Sequence, residues 1–251
     1  MKLKLVKTIE EAKGTKSFFW EPEKSVAWLP GQFFYFTLPQ LKYPDPRGAT
    51  RHFTISASQT EGNLLRITTR IRPQSGYKQT LNELPLGSLI DGEGPNGTFI
   101  LDENSAIPQV FLAGGIGITP FRSFIKYNLD KDLQIPMHLI YANSIPEEIT
   151  FGKELADWSA ANANIKVSLS ISKPGESREP WSGHIGRIDQ EMINKLIGKL
   201  SSKAGSGSAR EIENSTFWLC GPPPMVDAME DSLGKMGMTS NLVHSEKFTG
   251  Y

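Results

Sequence analysis

Two stretches in the second half of the chain have the residue types of a dinucleotide site. The run Val110-Phe111-Leu112-Ala113 leads directly into Gly114-Gly115-Ile116-Gly117-Ile118-Thr119-Pro120. Glycines let the backbone turn sharply and approach a ligand closely. Thr119 suits the cap of a helix whose first residue is Pro120, a position where the missing N–H does no harm. A strand, a glycine turn and a helix N-terminus make an anion site suited to a pyrophosphate. Pro120 stands where a full dinucleotide fingerprint has its third glycine, so a tight strand-to-helix connection without a ligand is the competing reading. The second stretch is Thr216-Phe217-Trp218-Leu219-Cys220 followed by Gly221-Pro222-Pro223-Pro224-Met225. Its prolines stiffen the loop and offer no donors, which makes it a rigid wall. Cys220 is either a small buried residue at a strand end or a contact to the reacting end of a dinucleotide.

The elements that position these loops alternate. Apolar runs at 109–113, 137–142, 165–171, 216–220 and 242–246 are separated by helix-like stretches near 120–128, 152–163, 189–200 and 225–233. Strands alternating with helices imply right-handed crossovers and a doubly wound parallel sheet of five strands. If the order is 3-2-1-4-5, the topological switch falls between the first and fourth strands, and ligands bind beyond the carboxyl ends of both. The run from Ser201 to Ser208 reads as a flexible low-complexity loop inside this half.

Up to about Asp102 the pattern differs. Short β segments at 2–10, 15–21, 31–38, 50–57, 63–71, 87–91 and 97–101 are split by turn chemistry such as Tyr43-Pro44-Asp45-Pro46, with one short helix near 77–84. Closely spaced strands of this kind suggest a small six-stranded antiparallel β-barrel. On the strand through Arg66, Arg70 and Arg72, period two puts the three arginines and Thr68 on one face, and Arg66 reads as part of a solvated face. The resulting fold class is α/β with a β-barrel, divided as residues 1–104 and 105–251.

Composition removes several functions. The 251 residues carry 27 basic and 27 acidic side chains, so the chain lacks the basic excess of a nucleic-acid binder. A single cysteine among these residues excludes an internal disulfide and a cysteine-held iron-sulfur cluster. The four histidines have no metal-ligand spacing, so no metal is expected. Nowhere do 18 apolar residues follow one another, so no membrane span is expected and the expected location is cytoplasmic.

One further segment gains meaning from resemblance. Arg51-His52-Phe53-Thr54-Ile55-Ser56 could be an ordinary edge strand, but Arg-x-Phe-Thr-x-Ser resembles the flavin motif of the ferredoxin-NADP reductase superfamily. The resemblance continues in order. Ser75-Gly76-Tyr77-Lys78-Gln79-Thr80-Leu81 resembles the second flavin-phosphate segment, Gly94-Pro95-Asn96-Gly97-Thr98-Phe99 the turn that closes the barrel, Gly114 to Pro120 the pyridine-nucleotide loop, and Cys220-Gly221-Pro222-Pro223 the nicotinamide-side loop. It implies that Arg51 meets the flavin pyrophosphate, helped by Arg70 and Arg72. Phe53 stacks on the flavin where the family more often has tyrosine, and Thr54 lies near flavin N5. One of Lys78, Gln79 and Thr80 meets phosphate. It also implies that a terminal aromatic, Tyr251 or alternatively Phe248, covers the flavin face, with Glu246 as the acid near the transfer site.

The activity this implies is hydride transfer from NAD(P)H to FAD, with Thr54, Cys220 and Glu246 bordering the reacting atoms. Electrons then pass to an external acceptor such as a ferredoxin, a flavodoxin or an oxygenase component. An NAD(P)H-dependent flavin reductase using free flavin, and a non-catalytic electron-transfer or nucleotide-sensing subunit, are the alternatives. Glu147 and Glu148 after the second parallel strand, with no basic residue before Lys153, favour NADH, because a ribose 2′-hydroxyl suits a carboxylate and a 2′-phosphate wants a cation. Lys173 or Arg178 from the neighbouring loop would reverse that choice.

Overall fold

A computed structural model describes residues 1–201 and 215–249, with the backbone alone for 198–201. Tyr251 and the low-complexity run from Ser202 lie outside the described residues. The chain divides into two compact units, Met1–Leu101 with Thr119–Asp132, and Asp102–Ile118 with the chain from Leu133 onward.

The first unit contains β1 (Lys2–Ala12), β2 (Thr15–Pro22), β3 (Phe33–Thr37), β4 (Thr50–Thr54), β5 (Leu65–Arg70), α1 (Gly76–Asn82) and β6 (Leu89–Asn96). Period-two patterning drives these strands: Leu3 and Leu5 turn inward while Lys2 and Lys4 stay exposed, and Ile90 is buried between exposed Leu89 and Asp91. The six strands are ordered β4-β3-β6-β1-β2-β5 with antiparallel neighbours. The sheet closes on itself just past β4, where Ile55 bridges Ile67 and the Ser56 N–H donates to the Arg66 carbonyl at 2.8 Å. The expected barrel is therefore present, and its core is built from Leu3, Leu5, Phe18, Trp20, Phe34 and Phe36.

A circuit of polar groups backs this closure. The Arg66 Nε–H donates to Ser17 Oγ at 3.1 Å, the Ser17 and Thr68 hydroxyls lie 2.7 Å apart, Thr68 and Ser56 hydroxyls 2.9 Å apart, and Ser56 Oγ donates to the Arg66 carbonyl at 3.1 Å. With a donor at one end and an acceptor at the other, each hydroxyl passes its proton onward in one sense, which satisfies three buried groups at once. The solvated position expected for Arg66 is wrong: the residue is 5% exposed, because the Ser17 hydroxyl and Glu11, at 2.7 Å, give its guanidinium partners. The separate strand expected at 97–101 is also absent. β6 runs on through Gly94-Pro95, the chain turns at Gly97 with φ +100°, and Phe99 packs on Phe121 and Phe124.

Those two rings belong to α2 (Ile118–Asp130), most of which is part of the first unit. The helix starts two residues before the expected Pro120, following a 3-10 turn at Gly115–Gly117. Thr119 thus lies inside the first turn, buried, instead of capping it. Pro120 as third residue costs nothing, since first-turn N–H groups have no intrahelical acceptor. Arg122, 1% exposed, donates to the Ser56 carbonyl at 2.7 Å and grips both oxygens of Glu61 at 2.8 and 2.9 Å.

The second unit holds β7 (Gln109–Gly114), β8 (Met137–Asn143), α3 (Gly152–Ala161), β9 (Ile165–Ile171), β10 (His184–Ile185), α4 (Gln190–Ser201), β11 (Thr216–Gly221), α5 (Pro223–Lys235) and β12 (Val243–Lys247). All neighbours are parallel in the order β10-β9-β8-β7-β11-β12. The five expected strands keep the expected order, and two-residue β10, too short to leave a pattern, extends one edge. β7 and β11 are buried at every residue, as expected of strands covered on both faces. No helix among the described residues is long and apolar enough to cross a membrane.

Replacing Arg122 by alanine takes a charged donor from the buried Ser56 carbonyl and from the partly exposed Glu61 carboxylate, and is expected to cost about 2 kcal/mol in urea unfolding. A loss below about 0.5 kcal/mol would mean that the clamp behaves as an exposed pair.

Candidate functional site

In the barrel unit the expected residues converge on the start of α1 and the end of β4. Lys78, in the first turn of α1, is 7% exposed. Its ammonium is held down to about 8, first by burial and then by the charges of Arg72, Arg47, Arg51 and Arg70. His52 is lowered by burial, followed by Arg47 and Arg51. Two groups thus register the same positive field, and an anion seated there would relieve it. The ambiguity among the three residues of the phosphate segment narrows. Thr80 Oγ1 donates to the Gly76 carbonyl at 2.7 Å and accepts from the Lys42 N–H at 3.0 Å, and Gln79 Nε2 donates to the Pro73 carbonyl at 2.5 Å. Lys78 is the member whose charge lies among the arginines.

Arg51 is more occupied than its expected role suggests. Its NH1 donates to the carbonyls of Arg47, Gly48 and Thr50 at 2.7–2.9 Å, its NH2 bonds Asp45 at 2.6 Å, and its guanidinium lies 5.1 Å from the Tyr77 ring centre. Phe53 is half-buried, 6.0 Å from Tyr77 and 5.9 Å from Phe36 between ring centres. Tyr77 is fixed by its hydroxyl donating to the Phe36 carbonyl at 2.9 Å. His52 stands exposed on the other face, beside Phe33 and Tyr35. Thr54 ends β4 opposite Phe33, and its Oγ1 is buried with no hydrogen-bond partner among the described residues. Such an orphan costs free energy unless a ligand or water completes it.

Sequence reasoning missed Asp45 and Arg47. Asp45 lies in Tyr43-Pro44-Asp45-Pro46, which reads only as a turn, yet its carboxylate takes hydrogen bonds from Ser75, Tyr77, Arg47 and Arg51. An acid fixed between two prolines and followed by Arg47 and Arg51 was the available signal.

In the second unit the glycine loop and the proline loop meet at the topological switch between β7 and β11. A Cβ on Gly117 would stand 2.2 Å from the Cys220 carbonyl oxygen and 2.7 Å from the Gly221 N, and Gly221 itself packs against the Gly114 backbone. Gly115 turns with φ +54°. Close approach of the two loops therefore accounts for Gly117 without a ligand. The prolines do not form a free-standing wall: Pro222 precedes α5 and Pro223 and Pro224 are its first residues, leaving that helix end short of donors.

Cys220 pairs in register with Glu246 on β12. The thiol is fully buried and pushed up by burial and then by the Glu246 charge, so it is a neutral packing surface at neutral pH. Burial raises the Glu246 carboxyl to about 7, and its Oε2 has no partner among the described residues. A carboxyl poised there holds or releases a proton near neutrality. Beyond β8, Glu147 and Glu148 lie in a 3-10 turn, with Glu147 accepting from the Ser177 hydroxyl at 2.9 Å. Lys173 of the adjacent loop is paired with Glu176 at 2.9 Å.

Residues 111–231 match the family described as "Oxidoreductase NAD-binding domain". The glycine betaine monooxygenase reductase subunit of Chromohalobacter salexigens is 26% identical over 249 residues, 98% of this chain and 63% of that one. The NADH-cytochrome b5 reductase 1 of Cryptococcus neoformans is 30% identical over 192 residues, 74% of this chain and 62% of that one. The chain thus spans less than two thirds of the length of these curated relatives. A ferredoxin NADP+ reductase from Neisseria gonorrhoeae, solved with bound FAD and NADP, superposes with a TM-score of 0.78 at 19% identity, over 98% of both chains. With its closed antiparallel barrel and its parallel strand order, the chain has the fold of this ferredoxin NADP+ reductase, and its residues 111–231 are similar to the oxidoreductase NAD-binding family.

Proposed function

We propose that the chain is an FAD-dependent reductase that takes electrons from NADH and passes them to a separate redox protein. Residues 1–104 form its flavin-binding half and residues 105–251 its nucleotide-binding half. The observation that carries the reading is Lys78, 7% exposed at the start of α1 and under the positive charge of Arg72, Arg47, Arg51 and Arg70, a site that suits a polyanion such as the FAD diphosphate.

Bound FAD supplies the redox chemistry, accepting two electrons from the nicotinamide and releasing them singly. The side chains hold and orient. Arg51, Arg70 and Lys78 neutralise the diphosphate, while Ser75 and Gly76 shape the turn beneath it. Phe53 offers a ring face to the flavin, and the unpaired Thr54 hydroxyl completes its hydrogen bonding near N5. In the other unit Cys220 would give an uncharged surface to the nicotinamide, and Glu246, with a carboxyl near 7, would hold or release a proton beside it. The acids Glu147 and Glu148, together with a Lys173 engaged by Glu176, support NADH over NADPH. The electron acceptor is a protein outside these residues: one relative is named as the reductase subunit of a monooxygenase, and these 251 residues contain one cysteine, too few for a cluster.

Purified protein is expected to carry about one FAD per chain and, mixed anaerobically with NADH, to lose the flavin absorbance near 450 nm faster than with NADPH. Thr54→Val is expected to keep its flavin and bleach roughly tenfold or more slowly. Flavin that stays unbleached with both nucleotides would overturn the reading, and faster bleaching with NADPH would overturn the choice of NADH.

Lys78 also predicts a pH dependence for the flavin-free protein. Its folded value, about 8, lies below its unfolded one, so the unfolded chain binds more protons between about pH 8 and 10.5. The buried charge costs stability fully below that window, and the cost is relieved as pH rises through it. Measured by urea unfolding at about pH 7.5 and 10, native protein should gain stability relative to Lys78→Met. A constant difference between the two would show Lys78 to be solvated.

A further inference from the structure

We propose that Asp45 is the positioning residue of the cation cluster, holding Arg51 and the start of α1 in the arrangement that receives a diphosphate. The inference rests on the flavin reading for its natural ligand, but its geometry is independent of it.

Asp45 is an acid placed where acids should be avoided. It stands among Arg47, Arg51 and, through α1, Lys78, in a site whose proposed ligand is itself an anion. Yet its side chain is only 4% exposed and each oxygen takes two hydrogen bonds. Oδ1 accepts from Arg51 NH2 at 2.6 Å and from the Arg47 N–H at 3.0 Å. Oδ2 accepts from the Ser75 hydroxyl at 2.9 Å and the Tyr77 N–H at 3.0 Å. Four donors from β4, the 45–51 loop and the first turn of α1 thus meet on one carboxylate. Burial raises its pKa, and the bonds from Tyr77, Arg47 and Ser75 with the Arg51 charge outweigh that and hold it at about 2.

The surroundings fit a clamp. Ser75 donates to Asp45 and accepts from the Lys78 N–H at 3.2 Å, so the carboxylate fixes the cap that starts the helix carrying Lys78. A Cβ on Gly76 would lie 2.3 Å from the Pro44 carbonyl oxygen and 2.4 Å from that of Tyr43, which shows how tightly the turn seats on α1. Arg51 cannot swing toward solvent while one NH group is held by Asp45 and the other by three carbonyls. Cations fixed in advance lose less conformational entropy when the ligand arrives.

Two roles make opposite predictions. If Asp45 only dilutes positive charge, Asp45→Asn strengthens anion binding. If it positions, the same change weakens binding although the site becomes more positive. Flavin-free full-length protein is titrated with FAD, followed by flavin fluorescence, and with inorganic pyrophosphate, followed by calorimetry. Glu83→Gln serves as a control that removes an exposed acid bonded to Lys42 and Tyr43. Positioning predicts at least about tenfold weaker binding of both ligands by Asp45→Asn, with Glu83→Gln unchanged or slightly tighter. With FAD at saturation, NADH-dependent turnover of Asp45→Asn should return to within about threefold of native, a split between affinity and turnover that a general loss of structure would not give. Unchanged or tighter pyrophosphate binding by Asp45→Asn overturns the proposal. Should that variant not fold, Ser75→Ala decides, since it breaks the same clamp without changing charge: weaker pyrophosphate binding upholds positioning and native affinity refutes it. Native protein that binds pyrophosphate but not FAD rejects the flavin reading and leaves the Asp45 comparison intact.

Discussion

Burying an ammonium among four guanidinium groups is unfavourable, and much of the barrel unit is organised around tolerating it. Lys78 loses hydration and gains repulsion, and each effect alone would favour sending the side chain into water. The chain keeps it in place by fixing its neighbours. Asp45 orders Arg51, while Ser75 and Gly76 set the first turn of α1 against the Asp45 turn. On the proposed reading, a bound polyanion would relieve that repulsion.

The rest of the unit holds the frame on which that cluster depends. β4 carries Arg51 at its second residue and Thr54 at its last, and immediately afterwards the chain leaves β3 to pair with β5. The hydroxyl circuit of Ser17, Thr68 and Ser56 fixes this crossing from inside, and Arg122 fixes the Ser56 carbonyl from α2. Thr54 is thus locked at a strand end with its hydroxyl unpaired, a local deficit that rigid surroundings can sustain. In the parallel unit the comparable deficit is Glu246, half-buried opposite Cys220 with its Oε2 lacking a partner among the described residues.

Much of this was legible in the residues. Continuous apolar runs at 110–113 and 216–220 gave the central parallel strands, because strands buried on both faces tolerate little polarity, and their order matches the doubly wound arrangement considered for them. Alternation gave the barrel, and the ordered motifs from Arg51 to Cys220 gave the resemblance to ferredoxin-NADP reductases, whose fold the structure shares. The illegible parts depended on tertiary partners. Arg66 looks like a surface residue until the Ser17 hydroxyl and the Glu11 carboxylate are brought to it from other strands. Thr119 looks like a cap until the 3-10 turn before it starts the helix early. Gly117 fits a ligand loop by type, but the Cys220 backbone already explains it. Asp45 was hidden for the opposite reason, since turn residues rarely announce long-range partners.

The account stands on the claim that the cluster around Lys78 is a diphosphate site serving a flavin. Its most direct test is the dissociation constant of FAD for native protein and for Lys78→Met, measured by equilibrium dialysis over a range of salt concentrations. The account predicts that native binding weakens as salt rises, and that Lys78→Met binds roughly tenfold or more weakly at low salt with a shallower salt dependence. Equal affinity and equal salt dependence in the two proteins would contradict it.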